Sequence, residues 1–297
     1  MTTEAGPAAA AAVESGFVTR VLTPSDLRRV RVSRWSTTSL QRLVEIVGAY
    51  PSRSVWHPES GQYAVVSGWR HRREIAHLFE LAAPRDPVVL SEAAMRVALA
   101  DDAQLFVAIE TDRVRQAAFY DRLGMSLMEE VVSLEHPAPR LLKAPGDGIV
   151  PLRTLDDATV EGLIRVDHAA FPWLWRNSAD EFRVYVEEPG VELYGYPVDG
   201  RIAAYIGVTA FLGWGHIDRV AVDPALQGQG VGNYLTRFGM DRLIRLGARR
   251  IGLSTQRSND AAKGMYAKLG FARQIDTDYR LYGRWLGDGG PPSDDLQ

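Results

Sequence analysis

The sequence predicts an α/β protein made of two similar halves. In the second half, apolar runs typical of strands alternate with segments of helical periodicity, which predicts a mixed sheet with helices packed against it. The two halves also end alike, because FYDRLGM around Tyr120 matches MYAKLGF around Tyr266. The tyrosine, the leucine and the glycine that these segments share all lie 146 positions apart, which indicates an internal duplication.

Each element of the second half has its own signal. Turns at Asp199-Gly200 and at residues 213–215 separate three successive apolar strands. Leucines at helical spacing before Gly247 predict one helix, and a second helix is expected to end at Gly270. In chain order the predicted elements are strands at 191–197, 202–211 and 216–222, a helix at 232–246, a strand at 250–254, a helix at 260–269 and a strand at 280–285.

The two halves begin alike as well. Residues 17–22 and 149–155 are short apolar segments predicted to be strands, and residues 105–110 predict a buried strand that precedes the FYDRLGM helix. Proline and glycine punctuate a predicted linker between the halves. The predicted regions are a disordered leader at 1–16, a first domain at 17–136, the linker at 137–148, a second domain at 149–286 and a disordered tail at 287–297.

The composition excludes several classes of protein. With 46% hydrophobic and 24% charged residues and a formal net charge of −3, the chain is typical of a globular protein without a nucleic-acid or anionic-membrane partner. It has no cysteine, so disulfides, thiolate nucleophiles and thiolate metal sites are excluded, and we expect no metal. No basic leader or long apolar run occurs, so we expect a cytoplasmic protein. Pairing between the halves would be compatible with a monomer.

Residues 217–235, with the sequence IDRVAVDPALQGQGVGNYL, combine a strand, a glycine loop and the start of a helix. Glycines let backbone N–H groups approach an anion closely, and the helix N-terminus adds the positive end of its dipole. The loop lacks the lysine of a Walker loop and the spacing of a dinucleotide fingerprint. It therefore predicts a site for a phosphate or a pyrophosphate, although a plain glycine-rich turn would have the same local sequence.

The motif Gln227-x-x-Gly230-x-Gly232 resembles the pyrophosphate-binding signature of the GNAT superfamily of N-acetyltransferases. The similarity continues upstream through residues 220–224 and downstream through Asn259-x-x-Ala262-x-x-x-Tyr266-x-x-Leu-Gly-Phe. The resemblance implies two tandem GNAT-like domains, each with a mixed, mostly antiparallel central sheet flanked by helices. This tandem architecture is similar to that of the mycothiol synthases within the superfamily. It also implies acetyl-CoA as the acetyl donor.

Acetyl transfer from a thioester to an amine requires a base for the amine proton and an acid for the leaving sulfur. The resemblance implies Asp218 as the base, and His216 on the same strand face is the rival. An ordered water chain and an ion pair of Asp218 with Arg219 or Arg165 are further alternatives. Tyr266 is implied as the general acid, with an ordinary core tyrosine as the alternative reading.

The resemblance implies a donor site along the strand, the glycine loop and the last helix. Val220 is expected to supply an oxyanion N–H, and Val220 and Val222 to pair with the pantetheine arm. Asn259 is expected to contact pantetheine or to cap the last helix. For the acceptor we expect contacts from Trp173, Trp175 and His216, or a role of the two tryptophans between the halves. The expected cofactor-binding residues are Val220, Ala221, Val222, Gln227, Gly228, Gln229, Gly230, Val231, Gly232, Asn233, Asn259 and Ala262.

The first half lacks the glycine loop. Where that loop would lie, residues 81–99 contain two prolines and no glycine, so a run of free backbone N–H groups is not expected. We interpret this half as a degenerate copy that supports the other. The function predicted is acetylation of a primary amine on a small metabolite in a ternary complex. The alternatives are a protein N-terminal or lysine acetyltransferase and a non-catalytic acyl-CoA-binding regulator.

Overall fold

The structure, a computed structural model, describes residues 17–32, 36, 38–111, 117–144, 146–288 and 290. The predicted leader at 1–16 lies outside the described residues. Of the predicted tail at 287–297, only 287, 288 and 290 are described.

The described part of the first half contains short opening elements followed by a strand-rich core. Its predicted opening strand at 17–22 is paired only at Arg20 and Val21, whereas the predicted strand at 105–110 is present in full. The elements are β1 (Arg20–Val21), a 3-10 turn (Asp26–Arg28), α1 (Leu40–Ala49), β2 (Val55–His57), β3 (Gln62–Trp69), β4 (Arg72–Ala82), α2 (Pro87–Ala100), β5 (Leu105–Glu110), α3 (Ala117–Arg122) and β6 (Ser126–His136).

The second half follows the predicted order of strands and helices, with ends shifted by no more than two residues for most elements. Short 3-10 turns lie at Trp173–Trp175, Pro224–Leu226 and Ile275–Thr277. The elements are β7 (Val150–Pro151), α4 (Asp157–Ala170), α5 (Ala179–Glu187), β8 (Val191–Val198), β9 (Arg201–Phe211), β10 (Trp214–Val222), α6 (Val231–Arg245), β11 (Arg250–Gln256), α7 (Asp260–Lys268), β12 (Ala272–Arg273) and β13 (Tyr279–Trp285).

The strands of both halves form one sheet, and the halves exchange their last strands. The order is β1-β2-β3-β4-β5-β13-β6-β11-β10-β9-β8-β7, with β12 attached to β6. The last strand of the second half, β13, pairs antiparallel with β5, and the last strand of the first half, β6, pairs antiparallel with β11. The two exchanged strands also pair with each other at the centre. Each half therefore completes its sheet with a strand from the other.

The local layout of the two halves is the same, as a duplication requires. In each half an antiparallel hairpin (β3–β4, β9–β10) is followed by a helix and by a parallel neighbour (β4–β5, β10–β11). A short helix that carries the shared tyrosine then leads into the exchanged strand. The mixed, mostly antiparallel sheet flanked by helices agrees with the predicted fold class.

Helices cover both faces of the second half of the sheet. Leu235, Met240 and Leu243 of α6 pack on one face, together with Tyr266 of α7. Leu163 and other residues of α4 and α5 pack on the opposite face. Burial of these apolar side chains stabilises the sheet and fixes where the helix N-termini lie.

The predicted linker at 137–148 packs against the second half. The buried carboxylate of Asp241 on α6 accepts hydrogen bonds from the backbone N–H of Leu142 at 2.6 Å and from that of Ala144 at 2.7 Å. Charge-assisted hydrogen bonds of this kind are stronger than neutral ones, so they hold the connection between β6 and β7 close to α6.

Candidate functional site

The parallel strands β10 and β11 diverge halfway along their length. They pair from Trp214 to Ile217, opposite Arg250 to Leu253, and no pairing continues beyond that point. A register shift in the β9–β10 pairing between Ile217 and Arg219 marks a bulge at the place where the strands separate. The remainder of each strand leaves an edge of backbone groups facing a gap.

The register shows which backbone groups face this gap. The N–H of Asp223 donates to the carbonyl of Ala203 on β9 at 2.9 Å. Because residues of an antiparallel pair alternate between bonded and non-bonded positions, Val220 and Val222 direct their backbone groups away from β9. Those groups lie at the edge that β11 has left, where an extended ligand could pair with them.

The glycine loop between β10 and α6 presents a row of free backbone donors. Gly228 and Gly230 have φ values of +74° and +85°, which few residues other than glycine adopt. A β-carbon added at either position would meet no atom within 4 Å, so the space beside the loop is open. In the described part of the chain, the N–H groups of residues 228–233 donate to no acceptor. Together with the dipole of α6, they form an anion-binding arrangement.

A cleft of about 660 Å³ joins the gap, the glycine loop and the last helix. This volume lies within the range typical of sites for small molecules. Most of the residues predicted from the sequence line the cleft, from both the catalytic and the cofactor-binding sets: His216, Asp218, Val220, Val222, Gln227, Gly228, Gly230, Gly232, Asn233, Asn259, Ala262 and Tyr266, with Trp175 among the predicted acceptor contacts.

Three of the predicted cofactor-binding residues lie beside the cleft rather than on its wall. The alternation along β10 turns the backbone of Ala221 toward β9, and its side chain is buried between α4 and the sheet. The side-chain amide of Gln229 donates to the carbonyl of Ala225 at 2.9 Å, which stabilises the turn before α6. Val231 begins α6 and packs against the core beneath it.

Two other predicted contacts have structural partners. The side chain of Gln227 donates to the carbonyl of Val222 at 3.1 Å and so joins the loop to the end of β10. Asn259 caps α7, because its Oδ1 accepts from the N–H of Ala262 at 3.1 Å. The capping reading of Asn259 therefore holds, and its side chain also lies on the cleft wall.

Asp218 and His216 form a hydrogen-bonded pair. Oδ1 of Asp218 lies 2.7 Å from Nδ1 of His216, and Oδ2 accepts from Tyr185 at 2.5 Å and from Thr209 at 2.7 Å. Burial and the adjacent carboxylate of Asp218 raise the pKa of Tyr185 well above its ordinary value, so Tyr185 is a hydrogen-bond donor. Gly207 leaves room for this contact, since a β-carbon there would lie 2.6 Å from the Tyr185 hydroxyl.

Asp218 pairs with neither of the two arginines considered from the sequence. Arg165 binds Asp223, with Nη1 and Oδ2 3.0 Å apart, and Arg219 binds Asp167, with Nε and Oδ2 2.6 Å apart. The ion-pair alternative for Asp218 is therefore wrong. Its carboxylate is instead held by one imidazole and two hydroxyl groups.

Tyr266 lies on the cleft wall opposite β10. Its side chain is largely buried against Phe271, and its hydroxyl has no hydrogen-bond partner among the described residues. Burial raises the pKa of Tyr266 to about 12. The phenol is therefore protonated at neutral pH and its proton is available to a ligand.

The 3-10 turn Trp173–Trp175 packs between the two halves. The indole of Trp173 stacks on that of Trp285, and the guanidinium of Arg72 lies 4.4 Å from the centre of the Trp173 ring. Trp175 contacts Trp69 edge to face and also lines the cleft. Both tryptophans therefore pack at the interface between the halves, as one of the two alternatives predicted. Of the two, only Trp175 also lies on the cleft wall.

A buried polar network supports this turn. Asp167 is fully buried and accepts hydrogen bonds from Arg219, from the hydroxyl of Tyr205 and from the N–H of Asn177. Nη2 of Arg219 donates to the carbonyl of Trp175 at 2.7 Å. The network thereby ties α4, β10 and the aromatic turn together beneath the cleft.

The sequence reasoning did not find several residues of the cleft. Arg70 and Val131 come from the first half, and Tyr279 comes from the exchanged strand β13. Thr209 and Tyr185 hold Asp218 from β9 and α5. Of these residues, only Thr209 could have been found from the sequence, because the alternation of side chains along β9 places it on one face of that strand. No local sequence pattern relates the other residues to the cleft.

The counterpart region of the first half has no such loop. The chain passes from β4 through residues 83–86 directly into α2, which begins at Pro87. Tyr120, the counterpart of Tyr266, is buried and stacks on Tyr282 with ring centres 3.8 Å apart. A ring from the exchanged strand thus covers the face of this tyrosine.

Comparison with known families agrees with this geometry. Residues 160–271, which include the glycine loop and Tyr266, match the Acetyltransferase (GNAT) family. The second half of the chain is therefore similar to the GNAT acetyltransferases. A protein of Nocardia farcinica named mycothiol acetyltransferase is 34% identical over 197 residues, which are 58% of this chain and 62% of that protein. The chain spans between 44% and 62% of the length of the first five curated relatives that it matches.

Solved GNAT structures share the fold over most of the chain. A GCN5-related N-acetyltransferase from Sphaerobacter thermophilus has a TM-score of 0.62 at 16% identity and covers 93% of this chain and 97% of its own. A tandem GNAT protein from the clavulanic acid biosynthesis pathway has a TM-score of 0.51 at 14% identity and covers 80% and 83%. The tandem GNAT architecture predicted from the sequence is therefore confirmed.

Two further features concern the described residues alone. They contain no group of three or more histidine and acidic side chains arranged to hold a metal ion. None of their helices has both the length and the apolar character needed to cross a membrane.

Proposed function

We propose that this protein transfers an acetyl group from acetyl-CoA to the primary amine of a small molecule, by direct attack within a ternary complex. The observation that carries the proposal is the single cleft in which the free N–H groups of residues 228–233, the open edge of β10 and Tyr266 meet. A donor with a diphosphate, an extended arm and a thioester matches these three features in order.

The chain's own groups would hold the donor as follows. The N–H groups of the glycine loop bind the diphosphate, because each donates toward the negative charge without a competing acceptor. The backbone of Val220 and Val222 pairs with the amides of the arm as an added strand would. The Val220 N–H also stabilises the oxyanion that develops on the thioester carbonyl.

His216 and Asp218 are proposed to act together on the amine. With the Nδ1 proton donated to Asp218, Nε2 of His216 carries the lone pair that accepts the amine proton. Both carboxylate oxygens of Asp218 already accept hydrogen bonds, so its role in this proposal is to orient the imidazole and stabilise its charged form. Replacement of His216 by glutamine should abolish the rise of kcat/KM with pH, and a retained pH profile would exclude this role.

The bond changes balance with one acid and one base. The amine nitrogen forms a bond to the thioester carbon, the carbon–sulfur bond breaks, and His216 receives the proton that the nitrogen releases. Tyr266 donates its phenolic proton to the departing sulfur and is reprotonated through solvent, to which His216 returns its own proton. Tyr266 is protonated at neutral pH, and burial moves its pKa further from neutrality, to about 12.

A small acceptor is favoured over a protein because the first half helps to close the cleft. Arg70, Val131 and the turn Trp173–Trp175 stand beside the space that a peptide would need. Two of the acids that follow this turn in the sequence already have cationic partners, since Glu192 binds Arg242 and Glu181 binds His71.

The proposal is tested by calorimetry with acetyl-CoA and by turnover of an amine panel with a free-thiol readout. Tyr266→Phe should lower kcat by about 100-fold, within the range that general acid catalysis contributes, and leave the Kd for acetyl-CoA nearly unchanged. Tyr120→Phe is the matched control at the equivalent position of the first half and should leave kcat unchanged. Failure of the wild-type protein to bind acetyl-CoA would refute the proposal.

A further inference from the structure

The turn between β3 and β4 in the first half reaches the cleft of the second half. Trp69 pairs with Arg72, so Arg70 and His71 are the two central residues of a tight hairpin. Their φ values are +52° and +53°, a conformation for which asparagine and glycine are the usual residues. A left-handed backbone conformation at two residues with large side chains destabilises the folded state, and backbone strain of this kind is common at functional sites.

Arg70 is enclosed at this turn without a full set of partners. Its Nη1 donates to Oδ1 of Asn177 at 2.7 Å, and its guanidinium lies 5.6 Å from the ring centre of Trp69 and 5.3 Å from that of Trp175. The Nε atom is buried and has no hydrogen-bond partner among the described residues. A buried guanidinium whose Nε–H has no acceptor is expected to be stabilised by an additional hydrogen-bond acceptor.

The acids nearest to Arg70 already have other cationic partners. Glu181 binds Nδ1 of His71 at 2.7 Å, and Asp167 binds Nε of Arg219 at 2.6 Å. No described carboxylate lies within 4.0 Å of the Arg70 guanidinium. Burial, with the nearby charge of Arg219, lowers the pKa of Arg70 to about 10, so the side chain is still charged at neutral pH. The wall therefore carries one positive charge without a direct counter-ion.

This charge lies beside Trp175, on the wall of the cleft that the turn Trp173–Trp175 helps to form. Arg70 lines the cleft together with Phe171, Trp175 and Tyr279, and the carbonyl of Trp175 accepts a hydrogen bond from Arg219, the chain neighbour of Asp218 on β10. An amine held near His216 would therefore have the rest of its molecule between the aromatic side chains and the guanidinium. A charge placed there acts on the acceptor and not on the diphosphate of the donor.

We infer that Arg70, supplied by the degenerate half, binds an anionic group of the acceptor, and that the preferred acceptor is an amino acid-like molecule with a primary amine and a carboxylate. The inference rests on the proposed function and adds the class of substrate to it. A planar guanidinium suits a carboxylate better than an ammonium would, and the flanking indoles keep the site poor in water.

The test compares amines that differ only in the anionic group, with acetyl-CoA as the donor. Suitable pairs are γ-aminobutyrate with its amide and phenylalanine with phenylalaninamide. For the wild-type protein, kcat/KM for the acid should exceed that for the amide by about tenfold or more in at least one pair. Arg70→Met should bring this ratio close to one, and Arg70→Lys should retain part of it.

Arg73→Met is the matched control, because Arg73 is an exposed arginine of the same hairpin that binds Asp101 outside the cleft. It should leave the acid-to-amide ratio unchanged, and the Kd for acetyl-CoA should be the same in all variants. Ratios at or below one for every pair in the wild-type protein would overturn the inference, even if Arg70→Met did not fold. So would an unchanged ratio in folded Arg70→Met. Absence of acetyl-CoA binding or of any amine turnover would instead refute the proposed function.

Discussion

Substitution of Gly230 by alanine separates the loop's conformation from its role in anion binding. Gly230 (φ +85°) and Gly247 (φ +94°) both have positive φ, and a β-carbon at either would meet no atom within 4 Å. Each alanine variant should therefore lose a similar free energy of unfolding, about 1–2 kcal/mol, from the left-handed conformation. Only the methyl group at Gly230 would project beside the free N–H groups.

The expected binding loss follows from the donors that this methyl group would displace. Loss of one hydrogen bond to a charged group costs about 1.5–3 kcal/mol, which corresponds to a Kd for acetyl-CoA that is roughly 10- to 150-fold higher. Calorimetry would measure this Kd, and thermal unfolding would measure the stability of both variants. Equal acetyl-CoA affinity in the two variants would refute the reasoning.

Two further predictions concern the two halves. A chain cut to residues 149–297 would lack β6 and β5, the neighbours of β13, and should show no cooperative unfolding; a soluble fragment that binds acetyl-CoA would contradict this. Burial lowers the pKa of His77 to about 4, below its value of about 6.5 in the unfolded chain. The folded state therefore favours neutral His77, and the free energy of unfolding should decrease by at most about 3 kcal/mol as the pH falls from about 6.5 to 4. His77→Gln should flatten this part of the stability curve measured by urea unfolding, and an identical curve would exclude the assignment.

The elements of the second half could be predicted because each has a local cause. Alternating apolar residues, the Asp199-Gly200 turn and the glycine after α6 determine the local structure, and β8, β9, β10, β11 and β13 lie close to the predicted positions, whereas the short strand β12 was not predicted. The conformation of the glycine loop also depends on local sequence, because the glycines within residues 228–233 leave the backbone N–H groups of this segment without acceptors. By contrast, the predicted strand at 149–155 is reduced to Val150–Pro151, which pair with β8, and a single further hydrogen bond joins the N–H of Leu152 to the carbonyl of Leu193.

The exchange of last strands could not be predicted. Each strand buries some apolar residues, Val131, Val132 and Leu134 in β6 and Leu281 and Tyr282 in β13, but these residues do not specify which parallel pair each strand completes. Arg70 escaped prediction for a related reason. It is more than 100 positions from Asn177 along the chain, and only the packing of the hairpin against the turn Trp173–Trp175 brings it to the cleft.

The position of β13 sets the order in which this protein can mature on the ribosome. The first half is synthesised first, yet the edge of β5 has no neighbour until residues 279–285 have left the exit tunnel. Until then the nascent chain exposes an apolar strand edge of the kind that recruits other chains. The sheet of the first half is therefore completed only by a strand of the second half, so the first half should depend on chaperones until β13 has been synthesised.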